Sequence, residues 1–123
     1  MTTKRPAVLI VEDDRSTREL FEYELRLAGF AVTLAGDGLS ALQSIEQCRP
    51  DAVVLDLDLP HVSGIDVQEE IMAHGELRDM PIIVVTGTEW KVPTGVYRVL
   101  RKPVSSDIVA NVVQEALASR AET

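Results

Sequence analysis

Short unbroken apolar runs alternate along this chain with longer stretches whose apolar residues recur every three or four positions, which predicts strands and helices in turn. Ala7 to Val11 (AVLIV), Ala52 to Leu55 (AVVL) and Ile82 to Val85 (IIVV) contain no polar residue and are rich in β-branched side chains. That is the pattern of strands buried on both faces of a parallel sheet. Ala31 to Ala35 reads as a weaker strand and Val96 to Leu100 as a fifth, less regular one. Between them, Arg15 to Ala28 puts Leu20, Phe21, Leu25 and Ala28 roughly on one helical face and stops at Gly29. Asp37 caps a helix whose Ala41, Leu42, Ile45 and Cys48 share a face, and Pro50 ends it. A turn from Pro60 to Gly64 leads into a helix from about Ile65 to His74, with Val67 and Ile71 inward. Ser105 or Ser106 caps a last helix, Asp107 to about Ser119, whose Ile108, Val109, Val112, Val113 and Ala116 face in. Gly87 to Gly95 shows little helical period and reads mostly as loop, with Trp90 in it as a cover for the core.

Strict alternation with short connections predicts a doubly wound five-stranded parallel sheet with helices on both faces, and residues 1–123 as a single domain. In such a sheet all strands end on one edge, where ligands bind. Glu12 and Asp13 arrive there from the first strand, Asp56 from the third, Thr86 from the fourth and Lys102 from the fifth. Carboxylates held close together repel, and a hard divalent cation with oxygen ligands such as Mg²⁺ relieves them. An aspartate can also attack phosphorus and form an acyl phosphate. Lys102 and the Thr86 hydroxyl would then meet two of the phosphoryl oxygens.

Composition narrows the partners. With 46% hydrophobic and 26% charged residues the chain is an ordinary globular domain, and its net charge of -8 argues against direct nucleic-acid or anionic-membrane binding while permitting a cation site. Cys48 is the single cysteine, so no intrachain disulfide forms, and it reads as a small buried apolar residue. No run is long enough to span a bilayer and Met1 to Pro6 lacks the apolar stretch of a signal peptide, so a cytoplasmic location is expected. His61 and His74 have no second ligand at helical spacing and read as surface residues, and Asp14 reads as a helix-start residue complementing the dipole.

Four motifs, VEDD at Val11 to Asp14, LDLDLP at Leu55 to Pro60, VVTG at Val84 to Gly87 and RKPV at Arg101 to Val104, appear in order at the strand ends. Together they resemble the receiver domain of two-component response regulators, a flavodoxin-like fold, and the resemblance covers nearly the whole chain. It implies that Asp56 is the phosphoacceptor, that Glu12, Asp13, Asp56 and the backbone carbonyl of Asp58 hold Mg²⁺, that Thr86 is the switch hydroxyl, and that Lys102 binds the phosphoryl group. It implies a cis peptide at Lys102–Pro103. It also implies a histidine kinase or histidine phosphotransfer protein as donor, an output partner that the sequence does not name, and a signalling role rather than that of an enzyme. A homodimer is compatible with it.

Two departures stand out. Val99 occupies the position, three residues before the lysine, where the family usually has an aromatic side chain. Tyr97 is near, but strand alternation is expected to put residues 97 and 99 on one face at different heights. The span from Thr86 to Lys102 is short by about six residues, or ~9 Å of helix, and the loss falls on the family's fourth helix, expected to be shortened or irregular. Two other functions compete. Asp56-Leu57-Asp58 also resembles the DxD of haloacid-dehalogenase-type phosphohydrolases, but Pro60 stands where that family has Thr or Val, and Glu12 and Asp13 would go unexplained. A degenerate receiver acting as a phosphorylation-independent interaction module suits the altered output face but not the retained Asp56, Lys102, Thr86 and acidic pair.

Overall fold

The computed structural model of the chain describes residues 5–77, 79–87 and 94–121. Five strands, β1 (Ala7–Val11), β2 (Ala31–Ala35), β3 (Ala52–Leu55), β4 (Ile82–Thr86) and β5 (Arg98–Arg101), form one sheet in the order β2-β1-β3-β4-β5. Every neighbouring pair is parallel. Four α-helices lie among the described residues: α1 (Arg15–Leu27), α2 (Gly38–Cys48), α3 (Gly64–Ala73) and α4 (Ser106–Ala121). None of them is long and apolar enough to cross a membrane.

Strand alternation sorts the core into two layers. Val8 and Ile10 of β1, Val54 of β3 and Ile83 and Val85 of β4 pack with Phe21 and Leu25 of α1 and Val109, Val113 and Ala116 of α4. Leu9, Val11, Val53, Leu55 and Val84 point the other way, onto Ala41 and Ile45 of α2 and Val67 and Ile71 of α3. Burial on both faces is why these strands are apolar up to Thr86 at the end of β4. The helix starts are set by side chains: Asp14 accepts from Thr17 N, Asp37 from Ser40 N, and Ser63 forms a reciprocal capping box with Asp66.

Four expectations are corrected. Leu20 is 59% exposed, because it lies one residue, about 100° of helix, from Phe21; with Tyr23 and Leu27 it forms an apolar stripe on the outward face of α1. Ile108 is 44% exposed for the same reason, the inward stripe of α4 beginning at Val109. Cys48 is exposed rather than buried: it is the last residue of α2, beyond Ile45, the last buried position, and the chain leaves through Arg49 in the left-handed region at φ 35°. Tyr97 and Val99 do not share a face. Tyr97 sits in a bend before β5, outside the pleat, and packs with Leu100 on the α1/α4 side, whereas Val99 packs on the α2/α3 side.

Between β4 and β5, Thr94 and Gly95 form a turn with Gly95 at φ 85°, held to α3 by the buried Gln68, whose Nε2 donates to Thr94 O at 2.8 Å. A regular helix therefore does not continue to Val96, while Trp90 and residues 88–93, where the shortened helix is expected, lie outside the described residues. His61 and His74 are on the surface as expected. His61 adopts φ 66°, a left-handed conformation costly for a side chain with Cβ. His61→Gly is expected to raise the unfolding free energy by roughly 0.5–1 kcal/mol, the relief being partly offset by glycine's unfolded-state entropy; urea titration of the two proteins measures it.

Candidate functional site

Glu12 begins where β1 stops. The last β1–β2 pair is Val11 with Ala35, and Glu12 N still donates to Ala35 O at 3.0 Å. Asp56 is placed in the same way one residue beyond β3, its N–H donating to Val11 O at 3.0 Å. The two residues are 1% and 4% exposed, while Asp13 is exposed. One carboxylate oxygen from each of Glu12, Asp13 and Asp56 lies within 4.8 Å of the others.

Lys102 reaches this cluster from the end of β5, positioned by its own N–H donating to Thr86 O at 2.9 Å. Its Nζ donates to Glu12 Oε1 at 2.5 Å and to Asp56 Oδ2 at 3.2 Å. The remaining carboxylate oxygens are held by the chain that follows each: Asp58 N donates to Asp56 Oδ1 at 2.9 Å, and Asp14 N to Glu12 Oε2 at 3.2 Å. Thr86 closes β4 at the same edge and is 1% exposed. The Lys102–Pro103 peptide is cis.

Burial of acidic groups has its usual cost here. Desolvation pushes the Glu12 carboxyl up to about 7, with the Lys102 hydrogen bond opposing the rise and the Asp56 charge adding to it. Burial by itself disfavours the Lys102 ammonium, but the hydrogen bond to Glu12 and the charges of Asp56 and Glu12 outweigh it and hold its pKa above the ordinary value. Asp14 is held below the usual carboxylate range by the hydrogen bonds it accepts from the Thr17 hydroxyl and N–H, which fits its place as the cap of α1. The ammonium sits where a small cation would relieve two buried carboxylates.

Glu12, Asp13, Asp56, Thr86 and Lys102 are thus brought to one edge as their positions at strand ends require. Asp58 meets Asp56 through its backbone N–H, and its side chain is exposed. Two residues without a carboxylate or ammonium also shape the site. Arg18 Nη1 donates to Glu12 O at 2.8 Å, and Gly64, at the start of α3, lies so close that a Cβ there would stand 2.3 Å from Asp56 O and 2.5 Å from Leu57 Cα.

The sheet that carries this cluster reverses its winding between β1 and β3, the switch point at which open α/β domains bind their ligands. Within that class the chain belongs to the response regulator receiver domain family, whose model matches residues 8–114. Receivers of this family are signalling domains of two-component systems. The response regulator MprA of Mycobacterium sp. (strain KMS) is 42% identical over 82 residues, and that of Mycobacterium leprae 39%. Those matches cover 67% of this chain and 35% of either relative, so the chain spans about a third of the length of the curated relatives it matches. Among solved structures, the receiver domain of the sensor histidine kinase PA1611 from Pseudomonas aeruginosa, with a magnesium ion in its active-site cleft, is 30% identical with TM-score 0.84, covering 94% of this chain and 99% of that one. A CheY-like receiver from Methanospirillum hungatei superposes with TM-score 0.85 at 23% identity, over 97% of this chain and 98% of that one, a likeness of fold.

Proposed function

We propose that this chain, residues 1–123 acting as one receiver domain, takes a phosphoryl group onto Asp56 from a phosphohistidine of a histidine kinase or histidine phosphotransfer protein, in the cytoplasm, and thereby changes its binding to an output partner or to a second copy of itself. The observation that carries this reading is the Lys102 ammonium hydrogen-bonded at once to the buried Glu12 and Asp56. The oxygen-only donor set of Glu12, Asp13 and Asp56 fits Mg²⁺, which prefers carboxylate and water oxygens. The backbone carbonyl of Asp58 would add a ligand, as the family resemblance implies. When bound, Mg²⁺ neutralises charge on the phosphoryl oxygens.

An Asp56 carboxylate oxygen attacks phosphorus, the P–N bond to the donor imidazole breaks, and the imidazole leaves with that electron pair. The acyl phosphate remains on Asp56. Lys102 Nζ, released from Asp56 by the reaction, pairs with a phosphoryl oxygen, and the Thr86 hydroxyl donates to another. Val99 replaces the customary aromatic partner of this movement, and it packs on the α2/α3 side.

Intact mass after incubation with acetyl phosphate and Mg²⁺ tests the reading, beside Asp56→Asn and a metal-free control. One added phosphoryl group that requires both Asp56 and Mg²⁺ is expected. No adduct and no donor consumption would favour a phosphorylation-independent interaction module. Rapid donor turnover without an adduct would favour a phosphohydrolase.

A further inference from the structure

We infer that Arg18 is a positioning residue for the acidic pair, fixing the β1–α1 turn so that Glu12 and Asp13 present their carboxylates to a cation beside Asp56. The inference rests on the receiver reading above and adds to it a residue that neither ligates the metal nor touches the phosphoryl group.

The need for such a residue follows from how β1 ends. Ladder pairing with β2 stops at Val11 and Ala35, so the carbonyl of Glu12 lies past the last strand pair. A backbone carbonyl on a buried residue requires a donor. Arg18 supplies it: Nη1 donates to Glu12 O at 2.8 Å and reaches Asp13 O at 3.4 Å. A charged donor makes roughly twice the bond of a neutral one.

The same turn sets the Glu12 side chain. Asp14 N donates to Glu12 Oε2, and Asp14 is itself anchored as the cap of α1, its Oδ2 accepting from Thr17 N at 2.9 Å and Thr17 Oγ1 at 2.6 Å. Arg18 stands on the next turn of that helix. The turn is therefore tied at its start by Arg18 and at its finish by the cap, and the carboxylate direction depends on both. Gly36, just beyond β2, borders the guanidinium, a Cβ there lying 3.4 Å from Nη1. Both of these hydrogen bonds go to carbonyls rather than to the site's carboxylates, so Arg18 acts on the geometry of the turn.

The test titrates Mg²⁺ into the metal-free wild type, Arg18→Met and Arg18→Lys by calorimetry. Alongside, the rate of Asp56 labelling by acetyl phosphate is measured at saturating Mg²⁺, and urea unfolding without metal. Arg18→Met is expected to weaken Mg²⁺ binding about tenfold, the worth of one charge-assisted hydrogen bond. Arg18→Lys, which keeps one donor, should recover about a third of that loss on a logarithmic scale. Labelling at saturating metal should stay within about twofold of wild type, because Arg18 does not touch the reacting atoms. Mg²⁺ affinity unchanged in a folded Arg18→Met, or tighter because a repelling charge has gone, would overturn the inference, as would a loss confined to urea stability. If Arg18→Met does not fold, Arg18→Lys decides: weaker Mg²⁺ binding supports the role and wild-type affinity overturns it. A wild type that binds no Mg²⁺ overturns the receiver reading itself, which is a different result from a loss seen only in the variants.

Discussion

Gly64→Ala is expected to lower the unfolding free energy by about 3 kcal/mol, the upper end of overpacking penalties, and to slow labelling of Asp56 on the order of 100-fold. On an open helix the same change would stabilise, since alanine is the better helix former by up to about 1 kcal/mol. The sign reverses here because the atoms in the way are backbone: Asp56 O at 2.3 Å and Leu57 Cα at 2.5 Å from the added Cβ. No rotamer change can yield that space. The Gly64 N–H also donates to Leu57 O at 3.1 Å, so pushing α3 outward breaks the bond that seats it against the segment carrying Asp56. Gly75→Ala is the control, as a Cβ there would meet nothing within 4 Å. Urea unfolding and the labelling rate of the two variants are the measurements. Equal behaviour of Gly64→Ala and Gly75→Ala would show that the segment after β3 gives way at little cost.

The metal-free protein is expected to become more stable as the pH falls from about 7 to about 4.5. Burial raises Glu12 from 4.5 to about 7, so between those values the folded state holds a proton that the unfolded state has lost. Stability then declines with rising pH at about 1.4 kcal/mol per unit, on the order of 3 kcal/mol across the window. Other shifted groups act elsewhere. Asp14 and Asp37 are lowered from 3.8 by the hydrogen bonds they accept as helix caps, so their contribution is present above 3.8 and is lost only as the pH falls through their lower folded values. Lys102 is raised above 10.5, so what it contributes is fully present throughout the window. Glu12→Gln should flatten the profile, because an amide does not titrate in this window and leaves no buried carboxylate to protonate. Urea midpoints of both proteins between pH 4.5 and 8 in the presence of a chelator test this; a wild-type profile as flat as that of Glu12→Gln would rule it out.

The sheet was legible because β1, β3 and β4 lie under helices on both faces and are apolar throughout, except for Thr86 at the end of β4. Strand ends follow directly from such runs, which is why Glu12, Asp56 and Thr86 could be placed at one edge from sequence alone, with Lys102 joining them after the less regular fifth strand. Helix faces were harder to read. Leu20 and Ile108 each neighbour a buried residue, and hydrophobicity does not say which of two adjacent apolar positions turns inward. Tyr97 was misplaced because the period of two holds only inside a pleated strand, and the bend before β5 interrupts it. Arg18 and Gly64 act through backbone atoms, on a carbonyl in one case and by leaving space in the other. No spacing of charged side chains signals either, although an arginine on the second turn after an acidic strand end is a pattern worth reading.

The exposed Cys48 turns α2 into a ready attachment point. It is the chain's single sulfhydryl, and α2 runs from its cap at Asp37 to the far end of the sheet from Asp56. A maleimide fluorophore placed there needs no engineered residue, leaves both core layers intact, and can follow rotational diffusion on titration with a candidate partner, with the acidic cluster at Glu12 and Asp56 undisturbed at the opposite pole.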